Sequence, residues 1–199
     1  MKNSALKISM TALSACLICV CAWISIPIAG VPMTLQTLGV AFCGYLLGAR
    51  IGTAATALYL ALGAIGLPVF AGFGGSIALL VGPTGGFLVG FLHLAFLIGI
   101  ASKRKKLTSE LALAFLGLFI CHLLGVLWFA YVSGISAPKA FLLSSLPYIV
   151  KDILSLILAR FLFLKIRKRA ANLAFFKNFD YIVQKIIISV NRKTTIKLL

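Results

Sequence analysis

Six apolar segments, almost free of charged residues, follow one another along the first 164 residues of this 199-residue chain. Crossing the hydrocarbon core of a bilayer takes about 20 apolar residues in a helix, and fewer where neighbouring protein shelters the ends. Hydrophobic residues make up 62% of the chain, which is more than a soluble fold of this length can bury. The sequence therefore predicts an all-α integral membrane protein with six transmembrane helices, at residues 8–26, 35–49, 51–67, 84–101, 110–132 and 147–164.

Lysine and arginine residues predict the orientation of this bundle. With the N-terminus inside, seventeen of the nineteen basic residues lie in inner segments, and only Lys139 and Lys151 lie in the outer connections. Because basic residues are retained on the cytoplasmic side of membranes, both termini are expected in the cytoplasm. The net charge of +16 reflects these topology signals, and no nucleic-acid partner is predicted.

The prolines gather on the opposite side, since all six fall in or beside the three outer connections. The connection 67–83, between helices 3 and 4, contains no charged residue. Ordinary turns are one interpretation, because Gly and Pro are common in turns. The alternative is a lid, since irregular backbone at membrane depth needs shelter from protein or a cavity. The hydrophobicity of the segment favours a long apolar loop that covers a pocket.

Asp152 is the one acidic residue that lies well inside a predicted span. Ionisable groups at this depth usually face the bundle interior or a wet cavity and serve a function, so Asp152 is predicted to contact a ligand. A structural alternative is a buried ion pair with Lys151 or Lys139. Neighbouring residues on a helix do not face one another, which argues against Lys151 as that partner.

Other reactive groups are sparse. His93 and His122 have no acidic neighbour at helical spacing, which predicts histidines packed within the bundle. All five cysteines lie in apolar runs and are expected to act as small hydrophobic residues, with no metal site. No catalytic motif or ATP-binding loop is present, so no enzyme and no cofactor is predicted. Uphill transport would need energy from another subunit or an ion gradient.

Three motifs occur in one order and spacing. The first is Ile26-Pro27 followed by VPMTLQT at 31–37, the second is YLALGAIGLPVF at 59–70, and the third begins with GPTGGF at 82–87 and ends at Gly90. Together they resemble the BioY family, the biotin-specific substrate-binding (S) components of energy-coupling-factor (ECF) transporters. The resemblance covers about residues 8–164.

The resemblance implies a six-helix S component in a prokaryotic cell membrane that captures biotin from the outer side. Its expected partners are biotin, the lipid bilayer, a transmembrane coupling protein and two ATP-binding cassette (ABC) ATPases. Family members contact the coupling protein through small residues of the first helix. Ala12 matches that pattern, and Cys16 stands where a second alanine is common.

The resemblance also implies a substrate site near the sixth helix, where the family commonly has Gly-Asp-x-x-Lys. Asp152 matches the aspartate, Lys151 replaces the glycine, and Ser155 replaces the lysine. Biotin offers two ureido N–H donors, a carbonyl, an apolar bicycle and a carboxylate, which call for acceptors, donors, apolar walls and a cation. The residues expected to supply these are Thr34, Gln36, Phe70, Tyr148, Lys151 and Asp152.

Residues 1–164 are therefore predicted as the substrate-binding domain and 165–199 as a basic cytoplasmic tail. Phe175, Phe179, Ile182 and Ile186 share one helical face, which is typical of an amphipathic helix on the inner leaflet. A frayed tail beside the membrane is the alternative. Other functions that stay open are an S component for another vitamin or precursor, an integral membrane enzyme, and a subunit with a purely structural role.

Overall fold

A computed structural model of the chain describes residues 2–27 and 31–172. This part is almost entirely helical. Its helices are α1 (Lys2–Trp23), α2 (Gln36–Ala64), α3 (Ile77–Val81), α4 (Gly85–Ala101), α5 (Leu107–Ser133), α6 (Ala137–Ser144) and α7 (Leu146–Asn172). A two-stranded antiparallel hairpin joins α1 to α2, formed by β1 (Ser25–Ile26) and β2 (Met33–Thr34), and a 3-10 turn occupies Ala71–Phe73.

Helix α2 contains two of the predicted spans, because its backbone breaks at Gly48. This residue has φ 76° and ψ 176°, a conformation that glycine adopts readily and other residues do not. The two halves fold back on each other so closely that a Cβ on Gly52 would lie 3.0 Å from the Cα of Gly44. Glycines at every fourth position thus allow the two halves of α2 to approach closely.

Three described helices are both long and apolar enough to cross a membrane: α1 (from Ser4), α2 and α5. Helix α4 is apolar but has only 17 residues. Helix α7 contains the predicted span 147–164 but continues to Asn172, so the helix does not end where the predicted domain does. The amphipathic helix predicted around 175–186 lies outside the described residues.

The two ends of the bundle differ in charge. The basic end comprises residues 2–7, 48–50, 101–107 and 160–172, and the cavity end comprises residues 23–27, 31–37, 64–85 and 133–148. At the basic end, Arg160 of α7 binds Glu110 of α5 through two hydrogen bonds, Nε to Oε1 at 2.8 Å and Nη2 to Oε2 at 3.3 Å. Glu110 is buried, so this pair ties α5 to α7 at the end away from the cavity.

Two short helices at the cavity end were not predicted. Helix α3 lies inside the connection 67–83, and α6 has Pro138 in its first turn, a position that proline favours. Both shorten the irregular backbone that this end exposes. The connection predicted to be irregular is therefore partly helical.

Candidate ligand-binding cavity

The cavity end encloses a pocket of about 280 Å³. Its walls come from the first turn of α2 and from α4, α5 and α7, and the hairpin and the segment after α2 contribute the rest. Phe70, Phe87, Leu88, Phe91 and Leu118 are among the apolar residues that line it. Ligand pockets usually measure about 300–1,000 Å³, so this one suits a small molecule.

All six residues expected at a substrate site line this pocket. Thr34 lies in β2, Gln36 begins α2, and Phe70 precedes the 3-10 turn. Tyr148, Lys151 and Asp152 lie in the first two turns of α7. Residues separated by more than 110 positions in sequence thus meet around one cavity.

Asp152 is the centre of the polar part of the pocket. Its residue surface is only 6% exposed. The Oδ2 atom lies 3.2 Å from Nε2 of His122, and Lys151 Nζ forms an ion pair with Oδ1. Each carboxylate oxygen of Asp152 therefore has one close partner, His122 at Oδ2 and Lys151 at Oδ1. A carboxylate oxygen has two lone pairs, so Asp152 can still accept a hydrogen bond from a ligand in the pocket.

Lys151 forms an ion pair with Asp152, although helical spacing predicted that these neighbouring residues would not meet. That prediction was wrong. The long side chain of Lys151 bends back toward the cavity, where Nζ donates a hydrogen bond to the Thr34 carbonyl oxygen at 2.9 Å and pairs with Asp152. Neighbouring helix positions do not face one another at Cβ, but four methylene groups allow a lysine to reach around the helix. Lys139, the other candidate partner, is exposed.

Ser155 occupies the position where the family commonly has lysine. Its hydroxyl donates to the Lys151 carbonyl oxygen at 2.8 Å, and its side chain lines a groove between α2 and α7 on the outside of the bundle. Lys151 lines both this groove and the cavity. Among the residues that line the cavity, Lys151 is therefore the one lysine or arginine.

A hydrogen-bond network fixes the hairpin side of the pocket. Thr34 Oγ1 donates to Gln36 Oε1 at 3.0 Å, and Gln36 Nε2 donates to the hydroxyl of Tyr59, which is fully buried. Tyr148 donates its hydroxyl hydrogen to the Val31 carbonyl oxygen. These contacts orient the Gln36 amide, because its oxygen accepts from Thr34 and its nitrogen donates to Tyr59.

Phe70, Ala71 and Leu79 of the segment 67–83, here called the roof, line the pocket. The interpretation of this segment as a lid stays a prediction. Both tryptophans of the chain hold this roof. Trp23 Nε1 donates to the Pro68 carbonyl oxygen and Trp128 Nε1 to the Gly82 carbonyl oxygen, each at 2.9 Å. The roof is thus pinned near each of its two ends.

We expect Trp128→Phe to accelerate ligand release, because phenylalanine keeps the ring but cannot donate to Gly82. Loss of one neutral hydrogen bond is worth about 0.5–1.5 kcal/mol, which corresponds to a release rate roughly 2- to 13-fold higher. Dissociation of labelled ligand after dilution measures this rate. An unchanged rate in Trp128→Phe would show that the roof does not limit ligand exit.

The sequence did not identify His122 as a residue of the site, or Tyr59 as the hydrogen-bond partner of Gln36. His122 was expected to pack within the bundle without a role in the site, but its ring lines the cavity and contacts Asp152. Its partners come from α7 and the α6–α7 junction, so spacing along α5 holds no sign of them. His93 was expected in the bundle interior and is instead exposed on α4.

The two residues predicted to dock a partner, Ala12 and Cys16, are both exposed on α1, one turn apart on the same face. Cys19 and Cys21 of the same helix are buried. Among the described residues, no group of three His, Cys, Asp or Glu side chains could hold a metal ion.

The apolar helices and the enclosed pocket with its buried charge pair define a class, a multi-pass membrane protein that binds a small molecule. The chain belongs to the BioY family, whose sequence pattern it matches over residues 1–172.

Individual relatives agree with this assignment. The biotin transporter BioY of Thermotoga maritima is 45% identical over 154 residues, which cover 76% of this chain and 90% of the relative. A probable biotin transporter BioY of Pyrococcus horikoshii is 40% identical over 147 residues, covering 74% and 87%. The crystal structure of the S-component for biotin from an ECF-type ABC transporter superposes with a TM-score of 0.75 at 30% identity, covering 84% of this chain and 93% of that one.

Proposed function

We propose that this protein is a membrane-embedded biotin-binding subunit that mediates biotin uptake. The observation that carries this proposal is the apolar cavity lined by a buried carboxylate, Asp152, and by the Lys151 ammonium group paired with it. Relatives named as biotin transporters, and a solved biotin S-component of the same fold, support the choice of ligand.

In this proposal the ureido ring of biotin enters the polar part of the cavity. Asp152 Oδ1 accepts a hydrogen bond from one ureido N–H, and Lys151 faces the ureido carbonyl oxygen. The ureido group both donates and accepts hydrogen bonds, so it matches an anion and a cation that lie side by side. The fused bicycle packs against Phe70, Phe87 and Phe91, and the carboxylate arm extends toward the roof. Tyr148, Thr34 and Gln36 hold the hairpin that closes the pocket.

In this proposal the bundle crosses the membrane as six helices, and the two halves of α2, which are separated by the break at Gly48, cross separately. The basic end then lies in the cytoplasm with both termini, and the cavity opens outward. The large excess of basic residues at the end opposite the cavity supports this orientation. A protein oriented in this way, in a prokaryotic cell membrane, presents its binding site to biotin outside the cell.

Binding of radiolabelled biotin to the purified protein in lipid nanodiscs tests the substrate assignment. We expect saturable binding at one site per chain, displaced by unlabelled biotin and not by other vitamins. A lack of saturable binding would refute the proposal. Displacement by a different vitamin would assign the cavity to that vitamin.

Energy for uptake is proposed to come from an ECF coupling protein and two ABC ATPases, with α1 as the docking helix. Small residues at helical spacing let two membrane helices approach closely, and Ala12 and Cys16 are exposed one turn apart. The solved S-component of an ECF-type transporter supports this partnership.

We expect Ala12→Leu and Cys16→Leu to abolish most biotin uptake in cells that also produce the coupling protein and ATPases, because leucine keeps the helices apart. Biotin binding by the isolated variants should persist. Ala112→Leu is the matched control, since Ala112 is exposed on α5. Normal uptake by both α1 variants would show that this face does not dock the coupling protein.

A further inference from the structure

His122 connects Asp152 to a buried serine behind the cavity wall. Its Nε2 atom lies 3.2 Å from Asp152 Oδ2, and its Nδ1 atom lies 2.7 Å from the Oγ of Ser145. Ser145 is completely buried, and the ring of Phe87 meets the imidazole edge-on at 5.9 Å between centroids. Both ring nitrogens are therefore engaged, and neighbouring groups hold the ring in place.

The partners determine where the imidazole carries its hydrogen. Asp152, paired with Lys151, is ionised and can only accept, so Nε2 must carry the hydrogen that faces it. Nδ1 of a neutral ring is then an acceptor, and the Ser145 hydroxyl donates to it. Ser145 Oγ has no other side-chain partner among the described residues, so this bond also satisfies the serine.

We infer that His122 is a positioning residue for ligand recognition, with Ser145 fixing its tautomer. His122 contacts Oδ2 while Lys151 contacts Oδ1, so His122 fixes the orientation in which the carboxylate meets the ligand. Without this contact, the carboxylate is free to rotate about its χ2 angle and to turn both oxygens toward Lys151. This inference rests on the proposed function, because it assigns a role in the same biotin site.

Two substitutions separate positioning from packing. In His122→Gln the amide nitrogen lies near the position of Nε2, so it can still donate to Asp152. In His122→Asn the amide nitrogen lies near the position of Nδ1, so it can reach Ser145 but not Asp152. We expect His122→Asn to weaken biotin binding at least tenfold and His122→Gln to stay within threefold of the unaltered protein. His93→Gln is the control, because His93 is exposed on α4.

Equal affinity of the Asn and Gln variants in folded protein would contradict a positioning role, whether both bind normally or both bind weakly. Thermal unfolding and size-exclusion profiles establish that the variants are folded.

Nitrogen-15 NMR of the histidine side chains supplies a readout that does not depend on biotin. The chain has only two histidines, so the His93→Gln variant assigns both signals. We expect His122 with a bare Nδ1 and a protonated Nε2, and a mixture of tautomers in Ser145→Ala. A protonated Nδ1 with a bare Nε2 in the unaltered protein, or an unchanged tautomer in Ser145→Ala, would overturn the inference. Failure of the unaltered protein to bind biotin would refute the proposed function, while the tautomer still decides the role of His122.

Discussion

Asp152→Asn is expected to weaken biotin binding by about 1–3 kcal/mol, or roughly 5- to 150-fold in Kd. Asparagine has nearly the same shape but lacks the negative charge, so the ureido N–H loses a charge-assisted hydrogen bond, which is stronger than a neutral one. The effect should be large because Asp152 is only 6% exposed, so little water competes with the ligand for the carboxylate. Titration with labelled biotin in nanodiscs measures the change.

The same substitution leaves Lys151 without its counter-ion, so loss of folding must be separated from loss of recognition. The double variant Lys151→Met with Asp152→Asn removes both charges, and replacing a whole buried ion pair with uncharged groups is often neutral for stability. We expect this double variant to unfold at about the same temperature as the unaltered protein. Its affinity for biotin should nevertheless remain low. If folded Asp152→Asn binds biotin with normal affinity, Asp152 has a structural role and does not recognise the ligand.

Lys151→Ser is expected to cost about 2–3 kcal/mol of biotin binding. Truncating one partner of a buried charge pair costs about 2–5 kcal/mol, because the other charge is left unpaired. The side chain of Lys151 keeps 22% of its surface exposed, so water offsets part of the loss and the lower end of the range applies. Equilibrium titration measures this change as well.

A second substitution in the Lys151→Ser background provides a sharper test. Ser155→Lys restores the lysine of the usual Gly-Asp-x-x-Lys pattern, one turn further along the same face of α7. From there a lysine amine can reach toward the carboxylate of Asp152. We expect the double variant to regain at least half of the lost binding free energy. A double variant no better than Lys151→Ser would show that the position of the cation, and not only its presence, determines recognition.

Much of the site was predictable because the membrane makes polar residues conspicuous. Asp152 stood out as an ionisable group deep in an apolar span, and such groups are costly unless they serve a function. The family motifs then directed attention to Thr34, Gln36 and Phe70, and Tyr148 was chosen because it lies at the outer end of the same span as Asp152. All four line the cavity. Their role in binding stays a prediction until biotin binding to the variants is measured.

Contacts between distant residues were not predictable from local spacing. His122 meets Ser145 and Asp152 only because α5 packs beside the α6–α7 junction. Glu110 and Arg160 are fifty residues apart in sequence, and the residues around each of them do not indicate that the two side chains pair. Lys151 was misjudged because an argument from Cβ positions ignores the reach of a lysine side chain.

The helix boundaries show a similar limit. Apolar runs identified the membrane-crossing segments, but charge and hydropathy do not stop a helix, so α7 continues through Lys165 and Arg169 to Asn172. Helices α3 and α6 are eight residues or shorter, too short for a periodic pattern to be distinguished from a loop. By contrast, the break at Gly48 lies beside the predicted boundary between the spans 35–49 and 51–67.

The structure of the protein in complex with biotin tests the central claim most directly. We expect the ureido ring inside the cavity at the end opposite the basic residues, with one ureido nitrogen within about 3.2 Å of Asp152 Oδ1. Biotin bound in the outer groove beside Ser155, or bound in the cavity with its ureido group turned away from Asp152, would contradict it.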